Sequence, residues 1–221
     1  GWRTVLQFGA EPPPGEQPRS TLRTGSRSPA LTRPARARAT DIAMNLARIP
    51  AFDPDGDLNV VIETPKGSHN KYAYDEEFGA FRFQGVMPEG NLFPHDFGFV
   101  PSTLGEDGDP LDVLVLLDVS LPVGCLLSAR PLGVIEAEQR ERDGRVERND
   151  RLLAVATKAR THAHVHRLED LRPGLLDEIE AFFGHYNALN GTSFTPVGRG
   201  GPERARELVE AGIAAKRKRG G

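Results

Sequence analysis

From residue 57 onward the hydrophobic positions fall into short runs separated by turn-forming residues. Leu58-Asn-Val-Val-Ile62 is β-branched and bounded by Pro65-Lys-Gly67, which predicts a strand. Lys71–Asp75 and Ala80–Phe83 flank Glu76-Glu-Phe-Gly79 and predict a hairpin. Val113–Leu117 reads as a buried strand, and Leu126–Val134 as another, entered through Pro122 and Gly124. Leu152–Ala156 predicts one more. Beyond it the period changes from 2 to 3.6: Leu175, Leu176, Ile179, Phe182, Phe183 and Tyr186 share one face of a helix starting near Pro173. Gly198–Gly201 reads as a loop, Pro202–Ala215 as a last helix, and Lys216-Arg-Lys-Arg219 as a solvated basic tail. Strands first and helices last make an α+β fold, a small closed β-barrel of OB-like type flanked by C-terminal helices.

Residues 1–43 follow a different rule. They are rich in Pro, Arg, Ser, Thr and Gly, and offer little to bury, so disorder is expected. Seven arginines against three acids give this segment a net charge of +4, and leave −7 on the rest of a chain whose total is −3. An Arg-rich transit peptide has this composition. An upstream extension, with Met44 as the ordinary start, is the simpler reading. It gives a domain over 44–215, followed by the basic tail at 216–221. No global charge argues for nucleic acid or a membrane surface. The longest apolar stretch, Leu111–Leu127, is interrupted by Asp112, Asp118 and Pro122, well short of the ~20 residues of a spanning helix. Cys125 is the single cysteine, which excludes an internal disulfide and suits a reducing cytoplasm.

The strongest chemical signal is Asp107-Gly-Asp-Pro-Leu-Asp-Val-Leu114. Three carboxylates, Asp107, Asp109 and Asp112, crowd at the mouth of a buried strand and repel one another unless a cation sits among them. A hard divalent ion such as Mg²⁺ suits such oxygen ligands. Gly108 and Pro110 shape the turn.

This string resembles the signature of the soluble family I inorganic pyrophosphatases. Further blocks match in order: Asn59-Val-Val-Ile-Glu63-Thr-Pro, Lys71-Tyr72, Phe93-Pro-x-x-Phe97-Gly-Phe99, Arg130-Pro-Leu-Gly-Val134 and Phe182-Phe-x-His185-Tyr186. The resemblance covers roughly residues 55 to 210. It implies the same barrel, a usually oligomeric protein, here a homo-oligomer, and hydrolysis of pyrophosphate to two phosphates by a Mg²⁺-bound hydroxide. In that scheme Asp107 and Asp112 hold the metal pair. Asp109 is the base beside the nucleophilic water. Glu63 binds a further metal through water, and Lys71 and Tyr186 contact phosphate.

The sequence also departs from the family's pattern. Ala73 stands at an acidic position, Gly85 at an arginine, Phe93 and Phe97 at two tyrosines, and Asn187 at a lysine. The simplest alignment of residues 136–151 puts Gln139 and Asn149 on two metal-binding aspartates and Arg151 on a lysine. A one-residue shift instead brings in Glu138 and Asp150, with Asp150 as a metal ligand. Two other functions remain open on this reading: hydrolysis of another phosphate ester or nucleotide, and non-catalytic binding of a phosphate ligand. The register of Arg148-Asn-Asp-Arg151 discriminates among them: Asp150 facing the aspartate cluster favours the pyrophosphatase reading.

Overall fold

A computed structural model describes residues 46–219. Expectations about residues 1–43 and about the last two glycines lie outside this range.

The strands are β1 (Leu58–Thr64), β2 (Asn70–Asp75), β3 (Ala80–Val86), β4 (Asp96–Phe99), β5 (Asp112–Leu116), β6 (Leu126–Arg140), β7 (Val146–Arg148), β8 (Arg151–Ala156) and β9 (Ser193–Gly200). The helices are α1 (Leu175–Leu189) and α2 (Pro202–Arg219). Strand order in the main sheet is β1-β4-β5-β8-β6-β7, with β9 also on β6 and β1 pairing back onto β6. The ladder therefore returns on itself as a ring of strands, and β2–β3 stands apart as a two-stranded sheet. The fold is α+β, with both helices C-terminal.

β5 and β8 are the parallel pair, and Val113–Leu116 and the whole of β8 are buried. A parallel pair covered on both faces explains why both read as unbroken apolar runs rather than alternations. Their register, Val113 opposite Leu152, sets the two preceding residues, Asp112 and Arg151, side by side at the strand entrances.

Three expectations change, and one strand is added. β4 reads poorly in sequence because it is short and carries Gly98. Packing requires that glycine, since a Cβ there would lie 2.1 Å from the Val61 carbonyl oxygen on β1. β6 runs on to Arg140 and, with β7, folds residues 136–148 into a hairpin. The expected loop at Gly198–Gly201 is mostly strand: β9 pairs with β6 and tolerates Pro196 at a bulge, where Val197 is the extra residue of β9 opposite the Glu136–Ala137 step of β6. Finally, α2 does not stop at Ala215 but continues through the basic residues to Arg219. His162 and His164 sit in a turn, where Asp118 accepts hydrogen bonds from the amides of Arg160 (2.7 Å) and Thr161 (3.0 Å).

Candidate active site

A cavity of about 1080 Å³ opens between the ring, the β2–β3 hairpin and the two helices. Asp107, Asp109, Asp112, Glu63, Lys71, Arg151 and Tyr186 all line it.

The acidic loop is anchored from below. Buried Thr103 donates its hydroxyl to Val100 O (2.6 Å) and accepts the Leu111 amide (3.0 Å). Within the loop the Asp109 amide donates to Asp107 Oδ1 (3.1 Å), and Gly108 takes φ +91°, a conformation that disfavours any side chain. Burial pushes the Asp107 carboxyl up to about 6, with the Asp112 and Asp109 charges adding to it. Asp109 is raised for the same two reasons, burial first and Asp112 second, and Lys71 and Arg219 oppose the shift.

Glu63 enters from β1, 8% exposed. Its Oε1 accepts the Tyr74 amide (2.7 Å), and neighbouring Thr64 Oγ1 accepts the Tyr72 amide (3.2 Å). These two bonds tie β2 to β1 and carry Lys71 into the cavity. Burial raises Glu63 to about 7 despite the nearby Lys71 charge. The Lys71 ammonium lies 4.5 Å from the Phe97 ring centroid and 5.8 Å from that of Phe93. The rings standing in place of two tyrosines thus form an aromatic floor under a cation. Tyr186 stacks on Phe182 (centroids 6.1 Å apart), and burial raises its phenol.

Arg151 is the most enclosed cation. Its Nη1 pairs with Asp112 Oδ2 at 2.6 Å and donates to Asn149 Oδ1, and its guanidinium faces the rings of Phe183 (5.0 Å) and Phe194 (5.6 Å). Its Nε is buried without a partner among the described groups. Asn149 Nδ2 donates to Gln139 Oε1 (3.0 Å), and Gln139 Nε2 to Glu141 Oε1 (2.6 Å). Gln139 and Asn149 both line the cavity, as the simplest alignment requires.

The shifted register is not adopted. Glu138 is exposed, and Asp150 Oδ1 accepts the Ala137 amide (2.9 Å) and Arg148 Nη2 (2.8 Å). Asp150 does not line the larger cavity; it lines an adjoining one of about 510 Å³, which Asp107 and Asp112 also border. The reason lies in the partners: Arg151 stands beside Asp112 and holds Asn149, while Asp150 is held by Arg148 and the Ala137 amide.

At the remaining departures, Gly85 sits opposite Lys71 in the hairpin, and a Cβ there would meet nothing. Asn187 is committed to α1, donating to Phe183 O (2.9 Å) and accepting from Thr192 Oγ1 (3.0 Å).

Several lining residues escape sequence reasoning. Glu141, Arg145 and Glu147 arrive through the β6–β7 hairpin, and Lys216 and Arg219 from the end of α2. The α2 pair had a signal: Ala205, Val209 and Gly212 are buried at spacings of four and three, and the same stripe continues to Lys216 and Arg219.

The donor chemistry fits a divalent cation. Hard carboxylate oxygens converge on one cavity, and Asp107 and Asp109 are raised by burial first and by the neighbouring carboxylate charge second, both of which a bound cation would offset. Among the described residues no three His, Cys, Asp or Glu side chains are close enough to hold a metal as they stand, and Asp112 is engaged by Arg151.

Comparison with known proteins agrees with this arrangement. The sequence profile of the family described as inorganic pyrophosphatase matches residues 60–217. The inorganic pyrophosphatase of Nostoc sp. is 40% identical over 172 residues, 78% of this chain and 99% of that protein. The crystal structure of the inorganic pyrophosphatase from Thermus thermophilus aligns with TM-score 0.71 and 35% identity, covering 78% of this chain and 99% of the other. The Helicobacter pylori enzyme aligns with TM-score 0.69 and 34% identity, over 77% and 99%. With the profile spanning most of the chain and the relatives covered nearly end to end, the chain belongs to the inorganic pyrophosphatase family.

Proposed function

We propose that this protein is a Mg²⁺-dependent inorganic pyrophosphatase that hydrolyses pyrophosphate to two phosphates. The observation that carries the reading is the meeting of Asp107, Asp109, Asp112 and Glu63 with Lys71, Arg151 and Tyr186 in one cavity. Asp107, Asp112 and Glu63 would hold Mg²⁺. When bound, the ion supplies charge neutralisation on the phosphates and acidifies water. Asp109, beside Asp107 and Asp112 in the same cavity, would take the proton of the attacking water. Lys71, steadied by Phe97, and the Tyr186 hydroxyl bind phosphate oxygens. Arg151 keeps Asp112 oriented and has a further N–H edge for phosphate. Asp150 has no part in this scheme, because Arg148 and the Ala137 amide engage it. The lone Cys125 fits a cytoplasmic setting, and the resemblance extends the proposal to a homo-oligomer, which sedimentation would test.

The test is phosphate release from pyrophosphate by purified protein, with Mg²⁺ and after chelation, beside Asp112→Asn. Metal-dependent release that falls at least about 100-fold in the variant is expected, since one carboxylate serves both metal and Arg151. Release from p-nitrophenyl phosphate or ATP but not from pyrophosphate would replace this reading with a phosphate-ester or nucleotide hydrolase. Phosphate binding without turnover of any of the three would make the protein a non-catalytic relative.

A further inference from the structure

Five cations line the main cavity: Lys71, Arg145, Arg151, Lys216 and Arg219. Two of them, Lys71 and Arg151, already belong to the proposed site, and a third, Arg145, is held between two carboxylates of its own hairpin. Arg151 is buried against Asp112 and Asn149, Arg145 is shared by Asp143 (2.7 Å) and Glu147 (2.6 Å), and Lys71 lies on the aromatic floor beside Glu63. The other two come from the last turn of α2. Lys216 Nζ meets Glu76 Oε1 at 2.8 Å on the tip of the β2–β3 hairpin, and Arg219 Nη1 donates to Gly108 O at 3.1 Å, between Asp107 and Asp109. The end of α2 therefore reaches from the hairpin tip to the acidic loop.

The reach is built, not incidental. α2 lies hard against the segment leading into the acidic loop. A Cβ at Gly212 would stand 2.9 Å from Leu111 Cδ1 and 3.1 Å from Thr103 Cβ, and the Leu104 amide donates to Gly212 O (3.1 Å). With Gly212 so fixed, the next two positions of the same stripe fall on the cavity. Arg217 and Lys218, off the stripe, are exposed and do not line it. Both present partners are replaceable. Glu76 is an exposed carboxylate whose ion pair solvent screens, and Gly108 O is a neutral acceptor, so a phosphate oxygen makes a stronger partner for each cation.

We propose that Lys216 and Arg219 are substrate-binding residues, a two-cation clamp on the cavity that takes the terminal oxygens of pyrophosphate from the side of α2. This rests on the pyrophosphatase reading and adds to it a contribution from the extreme C-terminal helix. The clamp acts in capture: it strengthens binding and makes it salt-sensitive, while the chemistry stays with the aspartates.

Calorimetric titration with imidodiphosphate, which keeps the two phosphates but is not readily hydrolysed, tests it in the presence of Mg²⁺. Lys216→Ala with Arg219→Ala should weaken binding about ten-fold or more and flatten its salt dependence. Lys216→Arg with Arg219→Lys should restore most of the affinity, and Arg217→Ala with Lys218→Ala should change nothing. In turnover, KM should rise by a larger factor than kcat falls. Equal affinity for the wild type and the alanine pair would overturn the clamp. So would an alanine pair that lowers the thermal midpoint and kcat without altering affinity, since that is the mark of a structural latch. Wild type that binds imidodiphosphate yet releases no phosphate from pyrophosphate would defeat the proposed function while the affinity comparison still decides the clamp. A wild type that binds no imidodiphosphate would defeat both.

Discussion

The guanidinium of Arg151 is held by Asp112, by Asn149 and by two aromatic rings, in a pair whose side chains are 6% and 22% exposed. Removing one member of such a pair is worse than removing both, because the survivor keeps its desolvation cost without its partner. Arg151→Met should therefore lose about 2–4 kcal/mol in urea unfolding, and Arg151→Met with Asp112→Asn should lose less than the sum of the single changes. Strict additivity would mean that the ion pair is not what holds this corner. Glu63 gives a pH signature. Its folded pKa of about 7 lies above the ordinary 4.5, so the native state holds a proton that the unfolded state has released across that window. Stability from this group is fully present below about 4.5 and is lost as pH rises through 7, by on the order of 2–3 kcal/mol in metal-free protein. His95 acts the other way: burial lowers it to about 4, so its contribution is lost as pH falls from 6.5. The clean observable is the difference between wild type and Glu63→Gln, whose midpoints should converge near pH 5 and separate by pH 8, with the variant more stable. Parallel pH profiles for the two would refute the buried-acid assignment.

Among the elements, β4 shows what side-chain pattern cannot reveal. Its backbone passes so close to Val61 that Gly98→Ala must push β1 and β4 apart, and β1 carries Glu63 while β4 carries Phe97 and Phe99. A loss of about 3 kcal/mol or more is expected in thermal melts, with catalytic activity falling in the same variant as Glu63 and the aromatic floor separate. A melt within one degree of wild type would show that the two strands can yield without cost. β5, β8 and α1 are legible in the sequence because burial on both faces, or on one helical stripe, writes an uninterrupted apolar code. β4 and β9 are not legible, since their glycines and Pro196 answer to neighbours distant in sequence. The same division runs through the site. Asp107, Asp109 and Asp112 stand out because three acids before a buried strand need a reason. The choice between Asn149 and Asp150 is not legible, because it depends on Gln139, Arg151, Arg148 and the Ala137 amide, which meet these residues only when β6, β7 and β8 pair. Lys216 and Arg219 look like a solvated end because a charge run has no visible direction until the helix under it is known to be pinned at Gly212.

At the scale of the molecule, electrostatics opposes the chemistry the site would perform. Residues 44–221 carry a net charge of −7, the cavity concentrates carboxylates, and the proposed substrate is itself an anion. Arg151 is paired with Asp112, and burial first, then the neighbouring carboxylates, leaves Asp107 and Asp109 holding protons more tightly than free carboxylates do. A divalent cation among them removes that repulsion in the native state and has no comparable site in the unfolded chain, so it must stabilise the fold as well as the reaction. At a free Mg²⁺ concentration about 100 times Kd the gain is about 2.7 kcal/mol, which for a domain of this size raises Tm by roughly 5–10 °C. Chelated protein titrated with Mg²⁺ in a thermal-shift experiment reads this directly, without substrate. Asp112→Asn should reduce the rise to less than half, because it removes a ligand and frees Arg151 to repel the incoming ion. Asp150→Asn should leave the rise intact, since that carboxylate is bound to Arg148 and the Ala137 amide. A full rise in Asp112→Asn would remove Asp112 as a ligand, and a rise lost in Asp150→Asn would place the metal in the adjoining cavity, where Asp150 meets Asp107 and Asp112.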